Sequence, residues 1–429
     1  MTGRLFALAL LFVLHAPAAR AESAGTAHLP AGDLVIQWNQ ILTDTLRVPG
    51  LHPPTIRVDR SYAMLHIAIF DAVNSVERRY SPFHVEVRSS MGASTEAAAA
   101  QAAHDILSAL YPAQQVIYDN ALSAVLTGIP PGRARQGSRV GASVAAKILA
   151  WRSTDRWNAV PPAYVLPPLP GFWQPTPPGL TPAAFTNYPG VVPFATESGT
   201  QFLPPPPPLI TSAEYAAAFN EVKDVGAANS AVRTDDQTLV AQLYAGVGTR
   251  SNPNTVWNGV ARDISRAQSL NLLDTARLFA LMNAVFHDAL QTSFTAKYRY
   301  GLWRPVTAIR EADTDANSAT TEDDTWTSLI TAPPYPTYAG NAAALSAASA
   351  RALALFFGTD AIAFDVTFEG PTPGTQGPTR SYSGFWEFAD EQARTRIYGG
   401  IHFTFDSDAS QDMAVELVDW VFTRFMVPR

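Results

Sequence analysis

Between residues 297 and 406 the 429-residue chain concentrates side chains suited to handling an anion. Lys297, one of three lysines in the sequence, precedes Arg304-Pro305 by seven residues, and Tyr298, Tyr300, Leu302 and Trp303 lie between them. On a helix that continues to Arg304, seven residues make two turns, so both cations face one way. The plainer alternative is a pair of solvated surface cations. In an apolar setting, however, two buried cations are costly unless an anion meets them. Downstream stands Arg396-Ile-Tyr-Gly-Gly-Ile-His402-Phe-Thr-Phe-Asp406. Gly399-Gly400 permits backbone conformations that bring Arg396 and His402 towards one point. Asp406, four residues after His402, is placed to accept a hydrogen bond from one ring nitrogen and leave the other free as ligand or nucleophile. The alternative makes Asp406 or Asp408 the N-cap of the final helix and His402 an ordinary buried histidine.

Composition narrows the chemistry further. There is no cysteine, which excludes disulfides, zinc-thiolate sites, iron–sulfur clusters and a cysteine nucleophile, so histidine must carry any soft chemistry. A formal charge of −7 without a basic patch argues against nucleic acid as a partner. With 47% hydrophobic and 16% charged residues, the chain is able to bury a sizeable core. Arg4, the apolar run Leu5 to Leu14 and Ala19-Arg20-Ala21 have the order of a secretory signal, with cleavage expected near Ala21 and a secreted or periplasmic product. That run is too short to cross a bilayer core of about 30 Å, and no later stretch reaches the required length, so stable membrane insertion is not expected.

The elements that must position these residues are mostly helices. Apolar periodicity predicts helices at roughly 58–79, 95–111, 113–127, 136–153, 212–224, 235–247, 272–295, 340–357 and 409–427, with few alternating strand patterns. The expected fold is therefore all-α, built from helical bundles with long proline-rich connections. Residues 22–429 are expected to form a single large domain. Within it, a stretch at about 158–210 contains Pro204 to Pro208 and must be looped or extended. Trp157, Tyr164, Phe172, Trp173, Phe185 and Tyr188 around that stretch favour an ordered wrap over a free linker.

The two motifs together resemble the signature of the vanadium-dependent haloperoxidases and the type 2 phosphatidic acid phosphatase superfamily. That signature has Lys-x6-Arg-Pro, then Pro-Ser-Gly-His, then Arg-x5-His-x3-Asp; the first and third are present here as Lys297…Arg304-Pro305 and Arg396…His402…Asp406. Segments beginning at His66, Phe172 and Ala276 resemble the soluble, secreted haloperoxidase-like branch. The resemblance implies a two-bundle all-α architecture. It also implies vanadate or phosphate held by Lys297, Arg304, Arg396 and backbone amides, with His402 as apical vanadate ligand or phosphorus nucleophile.

The middle motif departs from the pattern. Pro336-Thr-Tyr-Ala-Gly-Asn341 stands in its place, so Ala339 replaces Ser and Asn341 replaces His, while Gly340 is retained with an amide expected to meet the anion. Asn341 cannot deliver a proton, and loss of a general acid typically removes about 10²–10⁴-fold in rate. His287, ten residues before Lys297, is a candidate substitute, although a core or surface histidine is the plainer reading. The function implied first is peroxide-dependent halide oxidation on bound vanadate. The alternatives are a soluble phosphatase acting on a phosphate ester through a phosphohistidine at His402, and a catalytically weakened oxyanion-binding protein.

Overall fold

The computed structural model describes residues 32–51, 55–247 and 249–429; the expected signal at 1–21 lies outside them. Thirteen α-helices dominate these residues: α1 Asp33–Leu46, α2 Val58–Glu77, α3 Thr95–Leu110, α4 Gln115–Thr127, α5 Pro131–Arg152, α6 Ala213–Val225, α7 Asp235–Tyr244, α8 Pro253–Ala267, α9 Leu272–Tyr300, α10 Pro305–Arg310, α11 Asn341–Phe357, α12 Phe385–Tyr398 and α13 Thr404–Phe422. One antiparallel hairpin, β1 Phe364–Glu369 and β2 Gln376–Tyr382, separates α11 from α12. The all-α expectation holds. The periodicity reading did not include α1, α8, α10, α12 or the hairpin, and it placed the last helix five residues late.

The 29-residue helix α9 organises the molecule. Every residue from Leu278 to Lys297 is buried, so this helix is covered on all faces. On one side it packs against α2, itself buried from Val58 to Ser75, and on another against α11, which contacts α12 and α13. Helices α2, α3 and α5 pack on one another through an alanine-rich face of α3 that includes Ala97 to Ala100. A separate apolar cluster, with Tyr215, Phe219, Trp303, Val306, Tyr338 and Phe403, forms the floor beneath the C-terminal end of α9.

Buried polar groups tie these layers together. Asn39 on α1 donates to His66 Nε2 on α2 at 2.8 Å and to Asn258 on α8 at 2.7 Å, and Asn258 reaches Asn283 on α9 at 3.0 Å. The amide nitrogen of Asn39 only donates, so His66 accepts at Nε2 and is neutral. The proline-rich segment lies against α9. Asp288 accepts the amides of Phe194, Ala195 and Thr196 at 2.7, 2.8 and 2.8 Å. Further along, Tyr300 and Tyr338 donate to the carbonyls of Pro204 and Pro205 at 2.7 and 2.6 Å. No described helix is long and apolar enough to cross a membrane.

Burial, with Arg262 nearby, pulls His66 down from 6.5 to about 3. The unfolded chain takes up this proton below pH 6.5, whereas the folded chain does not until about 3, so stability present above 6.5 is lost as the pH falls through that window. The slope from this one group is on the order of 1.4 kcal/mol per pH unit. In urea unfolding between pH 6 and 4, His66→Gln should therefore show a pH dependence shallower by one proton; parallel slopes would mean that His66 is protonated in the native state.

Candidate functional site

Lys297 arrives on the last turn of α9 and is fully buried. Gly301 ends the helix at φ +63°, its amide bonding to the carbonyl of Lys297. A side chain there would collide with Leu166 and Tyr164 as well as strain the backbone. Arg304 is therefore not on the same helix. After Gly301 the chain turns, Leu302 and Trp303 pair with the loop, and Arg304 becomes the N-cap of α10 with Pro305 at the first helical position. The two cations still converge, but through a helix end and a turn.

The loop 335–337 receives them. Lys297 donates to the carbonyls of Pro336 and Thr337 at 3.1 and 2.7 Å. Arg304 donates from Nε to Tyr335 O at 2.8 Å and from Nη1 to Ile401 O at 2.7 Å, while its Nη2 is buried without a partner. Both cations lie over the Tyr335 ring, at 5.3 and 5.0 Å from its centroid. Arg396, on the last turn of α12, donates to Tyr244 O at 3.0 Å. Among the described residues, none of the three cations forms an ion pair with a carboxylate.

His402 follows the α12 turn, where Gly400 takes φ +75° and packs so tightly on Gly226 that no side chain fits. Arg304 Nη1 lies 3.2 Å from His402 Nε2. Because a guanidinium only donates, Nε2 holds a lone pair and Nδ1 carries the proton, which goes to Asp406 Oδ2 at 3.0 Å. Burial and the three cations hold His402 well below the usual imidazole range. Asp406 Oδ2 also accepts from the Thr337 hydroxyl and from Phe403 N, the latter at 3.0 Å. Asp406 thus sits in the first turn of α13 and caps it from the third position, not as the N-cap itself.

Of the residues expected from sequence, Lys297, Arg304, His402 and Asp406 form one connected group. Arg396 is close enough to depress His402 and Arg304 electrostatically. Gly340 differs from expectation: its amide donates to Asp406 O at 3.1 Å and is not free for an anion. The available amides are those of the first turn of α11, beginning at Asn341, which no side chain caps. Ala339 is buried and accepts from Ser293 through its carbonyl at 2.9 Å. His287 is elsewhere, bonded to Asp288 at 3.2 Å and 3.9 Å from Asp59, so it does not serve this pocket. Sequence reasoning missed Thr337 and Tyr335, whose only signal is their position in the proline-rich loop before Gly340.

Burial and Arg304 push Lys297 well below the ordinary lysine range, and burial holds Arg304 down to about 10. Three cations, one neutral imidazole and an uncapped helix start make an environment that favours a small anion.

A family profile described as the VCPO second helical-bundle domain matches residues 277–427, the part of the chain that contains every residue of this group. The vanadium chloroperoxidase of Curvularia inaequalis is 25% identical over 282 residues, which is 52% of this chain and 46% of that protein, so the match spans about half of the relative's length. The fold is similar to the crystal structure described as the first bacterial vanadium-dependent iodoperoxidase, with a TM-score of 0.75 and 23% identity over 92% of this chain and 96% of that one. It is also similar to a holo-type bacterial vanadium-dependent chloroperoxidase, with a TM-score of 0.69 and 16% identity over 89% and 94% of the two chains.

An anion entering the pocket favours the charged form of Lys297, which burial and Arg304 disfavour in the free protein, so binding across the neutral and alkaline range should raise the proton occupancy of that group. Sulfate is the suitable probe because it does not itself titrate there. Calorimetry in two buffers of different ionisation enthalpy should report uptake of up to about one proton per site, lost in Lys297→Met. Binding without uptake in the wild type would show that Lys297 is already charged in the free protein.

Proposed function

We propose that the chain belongs with the vanadium-dependent haloperoxidases to which its sequence and fold are similar, and that its cation pocket holds vanadate and serves the peroxide-dependent oxidation of a halide. The observation that carries this reading is the grouping of Lys297, Arg304 and Arg396 around a neutral His402, with backbone carbonyls in place of carboxylate partners. The buried, unpartnered Nη2 of Arg304 supports it, since an oxyanion oxygen would satisfy that donor. Lys297, Arg304, Arg396 and the first amides of α11 would hold the oxygens, and His402 Nε2 would bind vanadium. When bound, vanadate supplies Lewis-acid activation of peroxide towards attack by a halide.

The chain's own residues prepare that chemistry. The planar fork of Arg304 and the point charge of Lys297 complement a tetrahedral oxyanion in different ways, and both are already fixed by their carbonyl partners. Asp406 accepts the hydrogen bond of His402 Nδ1–H, so Nε2 is presented with its lone pair free of a proton. Thr337 shares the same carboxylate oxygen and fixes it in place. Burial keeps water from competing for Lys297 and Arg304 and strengthens their interactions. The signal-like order of Arg4, the apolar run Leu5 to Leu14 and Ala19-Arg20-Ala21 supports an activity outside the cytoplasm.

Vanadate binding by the purified protein, followed by peroxide-dependent bromide and iodide oxidation on the same sample, tests the proposal. His402→Ala should remove halide oxidation and weaken vanadate binding, because no other histidine among the described residues reaches the pocket. Asn341→His should raise turnover by at least about tenfold, since it restores an imidazole acid beside the oxyanion. Phosphate-ester hydrolysis that depends on His402, without halide oxidation, would redirect the assignment to a phosphatase; anion binding with no turnover in either protein would leave only an oxyanion binder.

A further inference from the structure

Apart from the cations themselves, with Lys297 giving two of its N–H bonds to Pro336 O and Thr337 O, the described residues of the pocket offer few proton donors. Asn341, at the start of α11, has an amide that hydrogen-bonds but gives up no proton near neutral pH. The proton of His402 is committed to Asp406. The hydroxyls around the site are nearly all committed as well: Thr337 donates to Asp406, Ser293 to Ala339 O, Tyr300 to Pro204 O, Tyr338 to Pro205 O and Tyr298 to Ala184 O. Tyr335 is different. Among the described residues its hydroxyl donates to no protein acceptor, while its backbone carbonyl accepts from Arg304 at 2.8 Å.

The placement of Tyr335 is tightly determined. Its ring stands edge-on to Phe294, with centroids 5.1 Å apart, and both Lys297 and Arg304 lie over it. The Asn341 side chain is in hydrogen-bond reach of its hydroxyl, and Arg304 and Arg396 act on it electrostatically. The phenol oxygen is thus held among the cations and beside the first turn of α11, where an oxyanion would be met. An amide N–H of Asn341 given to the phenol oxygen keeps the phenol's own proton for an anion beside it.

We propose that the Tyr335 hydroxyl is the hydrogen-bond and proton donor of this pocket, acting on an oxygen of the bound oxyanion. The step is a proton transfer: the phenol O–H bond breaks, the proton joins the departing oxygen, and the resulting phenolate faces Arg304 and Arg396 until water returns the proton. A phenol is acidic enough to protonate a leaving hydroxide or alkoxide, which an amide is not. Burial holds Tyr335 above its ordinary pKa, so the hydroxyl stays protonated through the neutral range. This inference rests on the oxyanion reading of the pocket.

Tyr335→Phe removes the hydroxyl and keeps the ring over Lys297 and Arg304. Inorganic phosphate and vanadate are titrated into wild type and variant by calorimetry, with thermal unfolding as a check on the fold. Ultraviolet difference spectra follow tyrosine as phosphate binds. The variant should bind phosphate about tenfold more weakly at pH 7, as expected for one lost hydrogen bond to a charged group. It should keep the wild-type unfolding temperature and lose the binding-linked tyrosine signal. Halide oxidation should fall at least tenfold, and the Asn341→His background should recover part of it. Equal phosphate affinity, the same tyrosine signal and equal turnover in Tyr335→Phe would overturn this proposal alone. A wild type that binds neither phosphate nor vanadate would overturn the pocket reading and this proposal with it.

Discussion

The burial of Lys297 and Arg304 against backbone carbonyls is the constraint on which the site depends. Moving a cation out of water is expensive, and carbonyl dipoles offset only part of that cost. Here the carbonyls of Tyr335, Pro336, Thr337 and Ile401 do so, which fixes the loop before α11 and the turn before α13 to the end of α9. The depressed pKa of Lys297 shows that the offset is incomplete. The site is therefore held in a state that an anion stabilises, and the fold supplies the cost of holding it through the large apolar surface covering α9 on all faces.

The contrast with the other buried polar groups separates structural from functional charge. The Asn39–His66–Asn258–Asn283 chain is neutral and joins four helices. Asp288 is surrounded by three amides and by His287, which offsets its charge locally. Arg152 and Arg60 share Asp155, with Arg60 Nε 2.6 Å from its carboxylate. In each case the group finds its complement within the protein. Among the described residues, Lys297, Arg304 and Arg396 gather around His402 with no carboxylate ion-paired to any of them, and Asp406 is taken up by the histidine, a hydroxyl and an amide.

Much of this was legible in the sequence, and the failures have physical causes. The long helices α2, α3, α9 and α11 announce themselves because continuous apolar faces and alanine runs satisfy helical spacing. Helix α12 does not: Phe385-Trp-Glu-Phe-Ala-Asp-Glu-Gln-Ala-Arg mixes charge and aromatics around its circumference, and its helicity is set by packing on α11. The hairpin is hard to see for a similar reason, since β2 is mostly exposed and carries Gly377 and Pro378. At the site, residue types and spacing identified the cations and the histidine–aspartate pair. They misjudged the connection from Lys297 to Arg304, because the Gly301 turn closes in three dimensions what two helical turns would have closed along one axis. The use of the Gly340 amide was also not legible, since its partner lies 66 residues away on α13.

That last contact explains how a small number of residues can hold the geometry. Asp406 accepts the Gly340 amide through its backbone carbonyl, and His402, Thr337 and Phe403 through a single carboxylate oxygen. Its backbone fixes the start of α11, so it sets where the uncapped amides and Asn341 begin. Its side chain fixes the imidazole, so it sets where Nε2 is presented. The distance between the helix start and the histidine is thereby determined by one residue of α13, independently of the loops outside the pocket. Such an arrangement tolerates replacement at position 341 without rearranging the cations, because Asn341 contributes its backbone to the helix start whatever its side chain is. The cation frame and the side chain at position 341 are physically separable in this fold, so a chain with asparagine there keeps a frame into which a proton donor from another position can be placed.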